Sequence, residues 1–415
     1  MEKKILIIGN SAKVYSLARK MSEANTVFVA PGSKLIDEFA TSVDIREDSL
    51  IELLEFVMEN DIDLTIPFSE KSMNSDIVKL FLDNNQPIFA PSKDSYSVIS
   101  DKAFAKKFLY KLMIPTPKFG IFEKQNMVMD YIKNLNKPFV IKTNDSSSAA
   151  VFTSPKLARN IVDSLFAEKT QKIIIEDYIY GTPFCFYAIT DGYKALPFGS
   201  SIIYKHSLEG DGGQLTNGMG ACAPNYKLSI EQEYYLMDNV IYPTLEYLES
   251  ERKNYVGIIG VNGIITDEND IQILGYESTM QDCDCCAVLE CLDVDLYSLF
   301  LSCTIGSFSD EVDFISQKDI SATSIVLYCK NKENNENIIE GLELLDDDVI
   351  KVFYPTVNKN KYLEMEANYG PVLSITALRR TNSASTVKAY EEVNAISFKG
   401  LTYRKDLCKS LESSF

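Results

Sequence analysis

The chain has 415 residues, 46% of them hydrophobic, with 23 Tyr and 22 Phe, so it is long enough for two or three packed domains and too apolar to read as disordered. A formal net charge of -18 repels polyanions. No local basic patch offsets it, which excludes nucleic acid and acidic membranes as expected partners and leaves small molecules. No stretch approaches the roughly 18 apolar residues of a membrane helix, and the apolar run after Met-Glu-Lys-Lys is too short for a secretion signal, so a cytoplasmic protein is expected.

In chain order, Ile5–Ile8 reads as a buried parallel-type strand, Gly9-Asn10-Ser11 as a turn and Val14–Met21 as a helix. Strand Thr26–Ala30, helix Ser49–Glu59, strand Asp63–Ile66, helix Asn74–Asn84 and strand Pro87–Ala90 complete a βα alternation, predicting a small doubly wound, Rossmann-like domain over 1–95. A helix between Ser92 and Leu112 ends at Ile114-Pro115-Thr-Pro117, which reads as a linker.

Residues 118–190 alternate short strands and helices, a lid-like α+β unit within a second domain over 96–320. From Ala195 the sequence predicts strands, a glycine-rich loop over Glu209–Gly220, a long helix Ser229–Arg252, and strands Val256–Thr266 and Ile271–Glu277. Residues 321–415 read as a separate β-rich cap.

Two apolar strands stand out for chemistry. Lys137-Pro-Phe-Val-Ile-Lys142 ends in a lysine suited to phosphate as a point charge, and Lys172-Ile-Ile-Ile-Glu-Asp-Tyr-Ile-Tyr-Gly181 carries Glu176-Asp177 before a turn. Each also has a plain reading: a solvated strand-end lysine and an edge charge. Between them lies Asn144-Asp-Ser-Ser-Ser-Ala-Ala150, without the glycines that let main chain approach a phosphate.

Gly9-Asn-Ser-Ala-Lys13 keeps only the first glycine of a dinucleotide fingerprint and reads equally as a strand–helix turn. Asp267, Asp270, Glu277, Asp282 and Asp284 surround a strand and offer hard oxygens to magnesium, or simply reflect an acidic chain. Cys283, Cys285 and Cys286 lack zinc spacing and read as small packing residues, with a substrate-facing role as the alternative. With one histidine, His206, and no nucleophile elbow, a Ser-His-Asp triad is not expected.

Taken together, the strings resemble the ATP-grasp glycinamide ribonucleotide synthetases (phosphoribosylamine–glycine ligases). The resemblance is collinear: Ile5-Leu-Ile-Ile-Gly9-Asn10, Val27–Gly32, Ile88-Phe-Ala-Pro91, Asp101-Lys-Ala-Phe-Ala-Lys106, Val140-Ile-Lys142, Ile174–Tyr178 with Gly181, Asn217-Gly218-Met-Gly-Ala221, Thr376-Ala-Leu378 and Tyr403-Arg-Lys-Asp406. It implies an ATP-grasp fold, mixed α/β and α+β, and an ATP- and Mg2+- (or Mn2+-) dependent ligase that joins a carboxylate to an amine through an acyl phosphate, as a monomer or homodimer.

By position it implies Lys102 and Lys142 on phosphates, Glu176 with the main chain near Asp177 and Tyr178 on adenine, and Lys205 facing the reacting phosphate. Glu277 would take the metal, with Thr279 where the family has its asparagine ligand. An alternative register puts Gly275 at that glutamate.

Asn10, Ser11, Glu70, Gly218, Gln281 and Asp284 fall in segments implied to hold substrate. Several of these segments depart from the family pattern: G-N-G-G-R-E-H becomes Gly9–Tyr15, G-P-E-x-P-L becomes Pro67–Ser72, and the arginine of E-F-N-C-R-F-G-D-P-E becomes Gln281. The departures point to a ligase with a different carboxylate and amine. A non-catalytic nucleotide-binding protein and a genuine phosphoribosylamine–glycine ligase are the alternatives.

Overall fold

The computed structural model describes residues 2–408 except 34, 145–148, 168–171, 309–311, 333–336, 347, 355–356, 361 and 363. The serine run Ser146–Ser148 between the Lys142 and Glu176 strands therefore lies outside the described residues.

The N-terminal unit is a four-stranded sheet in the order β3-β2-β1-β4, built from β1 (Lys4–Ile8), β2 (Thr26–Ala30), β3 (Thr41–Ser42) and β4 (Leu64–Pro67). All its pairings are parallel. Ile5 to Ile8 have no exposed surface, because helices α1 (Ala12–Ser22) and α2 (Leu50–Glu59) and the short α3 (Glu70–Met73) and α4 (Ile77–Asp83) flank the sheet. That explains a continuous apolar strand where an open sheet would alternate. The strand expected over Pro87–Ala90 is reduced to a single bridge between Thr65 and Ile88, since Pro87 has no N–H to extend a ladder and Pro91 ends it.

The helix expected over 92–112 is two helices, α5 (Lys93–Ser100) and α6 (Lys102–Lys111). Asp101 divides them by accepting the Phe104 N–H at 2.7 Å, an N-cap that starts the second helix in a new direction.

The lid sheet has the order β5-β8-β6-β7 (Phe119–Phe122, Ile173–Asp177, Phe139–Thr143, Ala149–Phe152) and is backed by α7 (Gln125–Ile132) and α8 (Pro155–Ala167). It has its own core, including Val128, Ile132, Phe139, Val162 and Ile175.

The largest sheet is antiparallel, in the order β13-β12-β9-β10-β11-β14-β18-β15, with β19 (Leu401–Thr402) on β14. Its central strands are β9 (Thr182–Thr190), β10 (Ala195–Leu208), β11 (Gly212–Ala223), β12 (Gly257–Ile265) and β13 (Ile271–Glu277). The expected glycine-rich loop is mostly strand β11, which pairs with β10 across two register shifts that absorb its glycines.

The long helix is interrupted: α9 (Ile230–Leu236) runs through a π-turn at Met237–Ile241 into α10 (Tyr242–Ser250). Pro243 lacks the N–H that an α-helical bond there would need.

C-terminal strands β14 (Ser321–Cys329), β15 (Ile350–Phe353) and β18 (Gly370–Arg379) continue this sheet through the β11–β14 ladder, so they do not form a detached cap. A small hairpin of β16 (Val357–Lys359) and β17 (Met365–Ala367) precedes β18.

Helices α11 (Asp282–Cys291) and α12 (Leu296–Ile305) and the C-terminal α13 (Asn382–Val393) complete the described elements. The buried helix α11 packs against α1, β11 and β14 and joins the N-terminal and C-terminal units in one core. Cys283, Cys285, Cys286, Cys291 and Cys303 are all buried thiols, as a packing role requires, and a second helix face carries Leu289 and Val288 into the same core.

Candidate active site

Charged side chains of the lid, of α6 and of the large sheet meet in a cleft between lid and sheet, where α6 packs against β13. Strands β6 and β8 pair so that Val140 faces Glu176 and Lys142 faces Ile174. The Lys142 ammonium donates to Glu176 Oε2 at 3.1 Å. Lys106, from α6, reaches the same oxygen at 3.2 Å, with both Lys106 and Glu176 side chains 2% exposed.

Burial pushes the Glu176 carboxyl up, but the two ammonium groups outweigh it and hold its pKa below the ordinary value. Burial brings the Lys106 ammonium down to about 8 despite the attraction of Glu176. Lys106 also donates to Thr116 Oγ1 at 2.8 Å and to the Ile273 carbonyl at 3.5 Å, so it ties the lid wall to β13. Sequence reasoning missed Lys106 as a site residue, although it closes the quoted Asp101–Lys106 string one helical turn after Lys102.

Lys102 donates to the Thr143 carbonyl at 3.5 Å, and Asn144 Oδ1 accepts the Ala103 N–H at 2.9 Å. These bonds fix the strand end beside the helix. Burial lowers the Lys102 pKa; Glu277 and Glu70 attract its charge, and Lys142 and Lys205 repel it. Residues separated by up to 207 positions thus share one electrostatic neighbourhood.

Asp177 pairs with Lys137 at 2.6 Å. The N–H groups of Asp177 and Tyr178 donate to the Lys118 and Pro138 carbonyls at 2.9 and 3.0 Å. The Tyr178 ring packs edge-on against Tyr180.

On the opposite wall, Lys205 of β10 lies 3.5 Å from Glu277 Oε1 at the end of β13. The Asn262 amide of β12 donates to the same oxygen. Burial would lower the Lys205 pKa, but Glu277 and the neighbouring Cys185 and Asp284 raise it overall, so the ammonium stays charged. Gly275 sits opposite Asn262 and the extra residue Leu274 forms a bulge. It is Glu277, therefore, that meets Lys205. Glu277 stands opposite Gly260, where a Cβ would come within 2.7 Å of Tyr187 and 2.9 Å of Glu277; only glycine leaves room for both.

Behind this wall the Tyr187 hydroxyl donates to Asp284 Oδ2 at 2.7 Å and the Cys185 thiol to Asn262 Oδ1 at 2.6 Å. Asp284 is fully buried, burial raises its pKa, and among the described residues its second oxygen has no hydrogen-bond partner. The substrate position expected for Asp284 is therefore behind the cleft surface. Gly218 is likewise structural in its surroundings: at φ +121 a side chain there would sit 2.4 Å from Cys283 Sγ.

The N-terminal unit closes the end of the cleft. Glu70 opens α3 after the capping Ser69, and Asn10 is exposed at the end of β1. Ser11 occupies the N-cap of α1 without a capping side-chain bond, and its buried hydroxyl has no hydrogen-bond partner among the described residues. The Lys13 ammonium donates to Thr279 Oγ1 at 3.3 Å, and the Lys13 main-chain N–H donates to Asp282 Oδ1 at 3.0 Å. Gln281 occupies the N-cap position of α11 without a side-chain capping bond, and its N–H donates to the Tyr187 hydroxyl at 3.5 Å. Among the described residues no group of three His, Cys, Asp or Glu side chains is arranged to hold a metal by itself.

Comparison with known proteins gives the family and the fold. Residues 3–98 match the phosphoribosylglycinamide synthetase N domain and residues 100–285 the phosphoribosylglycinamide synthetase ATP-grasp (A) domain. The phosphoribosylamine–glycine ligase of Fusobacterium nucleatum is 29% identical over 97% of this chain and 98% of its own length. That of Clostridium acetobutylicum is 28% identical over 98% and 100%.

A crystal structure of phosphoribosylamine–glycine ligase from Thermotoga maritima superposes with a TM-score of 0.79 at 19% identity, covering 97% of this chain and 99% of that one. The biotin carboxylase domain of Hydrogenobacter thermophilus 2-oxoglutarate carboxylase, solved with MgADP and bicarbonate, reaches 0.71 at 13% identity, over 97% and 92%.

Proposed function

The chain belongs to the ATP-grasp family as a divergent homologue of phosphoribosylamine–glycine ligase, and on that premise we propose that it is an ADP-forming ligase acting on the pair named in its relatives, a phosphoribosylamine and glycine. One observation carries the proposal: Lys102, Lys142, Lys205, Glu277 and Glu70 from three parts of the fold converge in one electrostatic neighbourhood between lid and sheet. Phosphoryl transfer needs such converging charge more than it needs covalent chemistry.

In this reading Lys142 and Lys102 hold the ATP phosphates and the segment after Glu176 receives adenine. The Asp177 and Tyr178 N–H groups are already used within the protein, so other main-chain groups of that segment read the base. Glu277 fits a magnesium ion that takes one or two protein carboxylates and otherwise phosphate oxygens and water; when bound, the ion neutralises charge on the phosphates.

Lys205, kept cationic by Glu277, lies against the transferring phosphoryl group. The acid's carboxylate oxygen attacks the γ-phosphorus and ADP leaves. The amine nitrogen then attacks the acyl phosphate carbon, releasing phosphate and giving up a proton.

A second reading, the same chemistry on a different carboxylate and amine, is favoured by Gln281 and Thr279 standing where the family pattern has arginine and asparagine. ADP release separates the readings. Turnover with glycine and freshly generated phosphoribosylamine supports the first, and turnover only with other amino acids or amines supports the second. Absence of both turnover and MgADP binding overturns the two together. Lys205→Met or Glu277→Gln should cut ADP release by about 100-fold or more, in line with loss of one electrostatic contact to the transition state, with the melting temperature preserved.

A further inference from the structure

Glu277, the carboxylate at the end of β13, is gripped from the neighbouring strand by a side chain that the phosphoryl-transfer steps do not use. In the ladder, Asn262 of β12 stands opposite Gly275 of β13 and opposite Cys185 of β9, and Gly260 stands opposite Glu277. Residues two apart on a strand share a face, so Cys185, Asn262 and Glu277 lie on the same side of the sheet. Gly275 leaves the place directly beside Asn262 without a side chain, and the amide reaches diagonally to Glu277.

Cys185 has no exposed surface, and burial pushes its pKa well above the ordinary thiol value, so it keeps its hydrogen. That hydrogen goes to Asn262 Oδ1 at 2.6 Å. The amide nitrogen then faces the other way and donates to Glu277 Oε1. A carboxylate only accepts, so a reversed amide would set oxygen against oxygen. Lys205 lies 3.5 Å from the same Oε1. Oε1 thus carries two donors, while Oε2 accepts no hydrogen bond from the described residues. Thr279, two residues on, accepts the Lys13 ammonium at 3.3 Å, and an oxygen facing one cation is poorly placed for a second.

We propose that Asn262, oriented by the Cys185 thiol, is a positioning residue for Glu277: it holds Oε1 beside Lys205 and leaves Oε2 to the divalent cation. The proposal rests on the ligase reading in giving Glu277 the metal; the chain from thiol to amide to carboxylate stands on its own geometry. Partners of this kind act through the ligand they orient, and their loss typically weakens metal binding by about 10- to 100-fold.

The test is Mn2+ binding to the full chain with ADP present, followed by the paramagnetic resonance of free Mn2+, beside calorimetry of ADP without metal. Asn262→Leu should weaken Mn2+ about tenfold and leave the metal-free ADP affinity unchanged. Cys185→Ala, which frees the amide to turn, should weaken Mn2+ severalfold. Cys185→Ser, whose hydroxyl restores the donor, should return it to within about twofold of wild type. In ADP release, the half-saturating Mg2+ concentration should rise in Asn262→Leu by more than kcat falls.

Mn2+ affinity equal to wild type in Asn262→Leu overturns the proposal, as does a Cys185→Ser variant that binds no tighter than Cys185→Ala. If Asn262→Leu does not fold, the two Cys185 variants decide by themselves. Glu277→Gln separates the positioning role from the ligase reading. Mn2+ weakened in Glu277→Gln but not in Asn262→Leu overturns the positioning role alone. Mn2+ unchanged in Glu277→Gln, or no Mn2+ binding by wild type, overturns the metal assignment and the positioning role together.

Discussion

At the scale of single residues, Glu176 is the group on which the lid wall depends. It is a buried carboxylate shared by two lysines, unlike the exposed Lys3–Asp63 pair, whose kind contributes about 0–1 kcal/mol. Removing one partner of a buried ion pair typically costs about 3–5 kcal/mol, because the other charge is left uncompensated. Glu176→Gln should therefore destabilise the chain by about 3 kcal/mol in denaturant unfolding. In a double-mutant cycle with Lys106→Met the coupling should exceed about 1 kcal/mol. An additive cycle would show that the two charges do not support each other.

The pH dependence has two windows. Glu176 has a folded pKa below its unfolded 4.5, so its contribution is full above that value and is lost as pH falls through the lower folded one. Lys106 has a folded pKa of about 8 against 10.5 unfolded. The unfolded chain then binds more protons between those values, and stability should rise with pH across that interval. Lys106→Met should flatten the alkaline rise and weaken the acid limb, because it removes one of the two ammonium groups that hold the Glu176 pKa down.

At the scale of elements, the β10–β11 hairpin that carries Lys205 is held by the C-terminal segment. Arg404, its side chain 2% exposed, pairs with Asp211 at 2.8 Å and Asp406 at 2.7 Å and donates to the His206 carbonyl at 3.3 Å. Its guanidinium lies over the Tyr204 ring, and Asp406 accepts the Gly210 N–H at 2.8 Å. One planar, five-donor group thus grips both sides of Lys205, a geometry an ammonium cannot copy.

Arg404→Lys and Arg404→Met should both accelerate amide exchange over 204–220, and Arg404→Met should cost about 3 kcal/mol. Unchanged exchange there would mean that the ladder, the Cys222–Cys408 disulfide and the Cys408 N–H to Tyr204 bond hold the hairpin without Arg404. The Tyr403-Arg-Lys-Asp406 string was visible in the sequence as a resemblance. Its role was not, because its partners lie nearly 200 residues away.

At the scale of the whole molecule, the N-terminal and C-terminal units share a core through α11, whereas the lid packs around its own smaller cluster. The shared core should melt in one transition seen alike by probes in β1 and β18. Lid amides between 119 and 177 should exchange at lower free energy, as expected of a unit with few apolar contacts outside itself. Saturating MgADP should slow exchange in the lid more than in the N-terminal sheet; equal protection everywhere would count against a nucleotide gripped by the lid.

Local chemistry in the sequence determined most of the elements. Continuous apolar runs gave the buried strands, helical spacing the helices, and the collinear strings the ATP-grasp family. Lys142, Glu176 and Glu277 stood out in the sequence because each lies at or next to the end of an apolar strand, whereas Lys205, inside β10, came only from the resemblance. Tertiary structure alone decided that Lys106 shares Glu176 with Lys142, that Asp284 is behind the cleft, that the C-terminal strands extend the central sheet, and that Lys13 reaches Thr279. Each of these depends on burial and on contacts between distant segments. A charge acquires its meaning from what surrounds it, and periodicity along the chain carries no record of that.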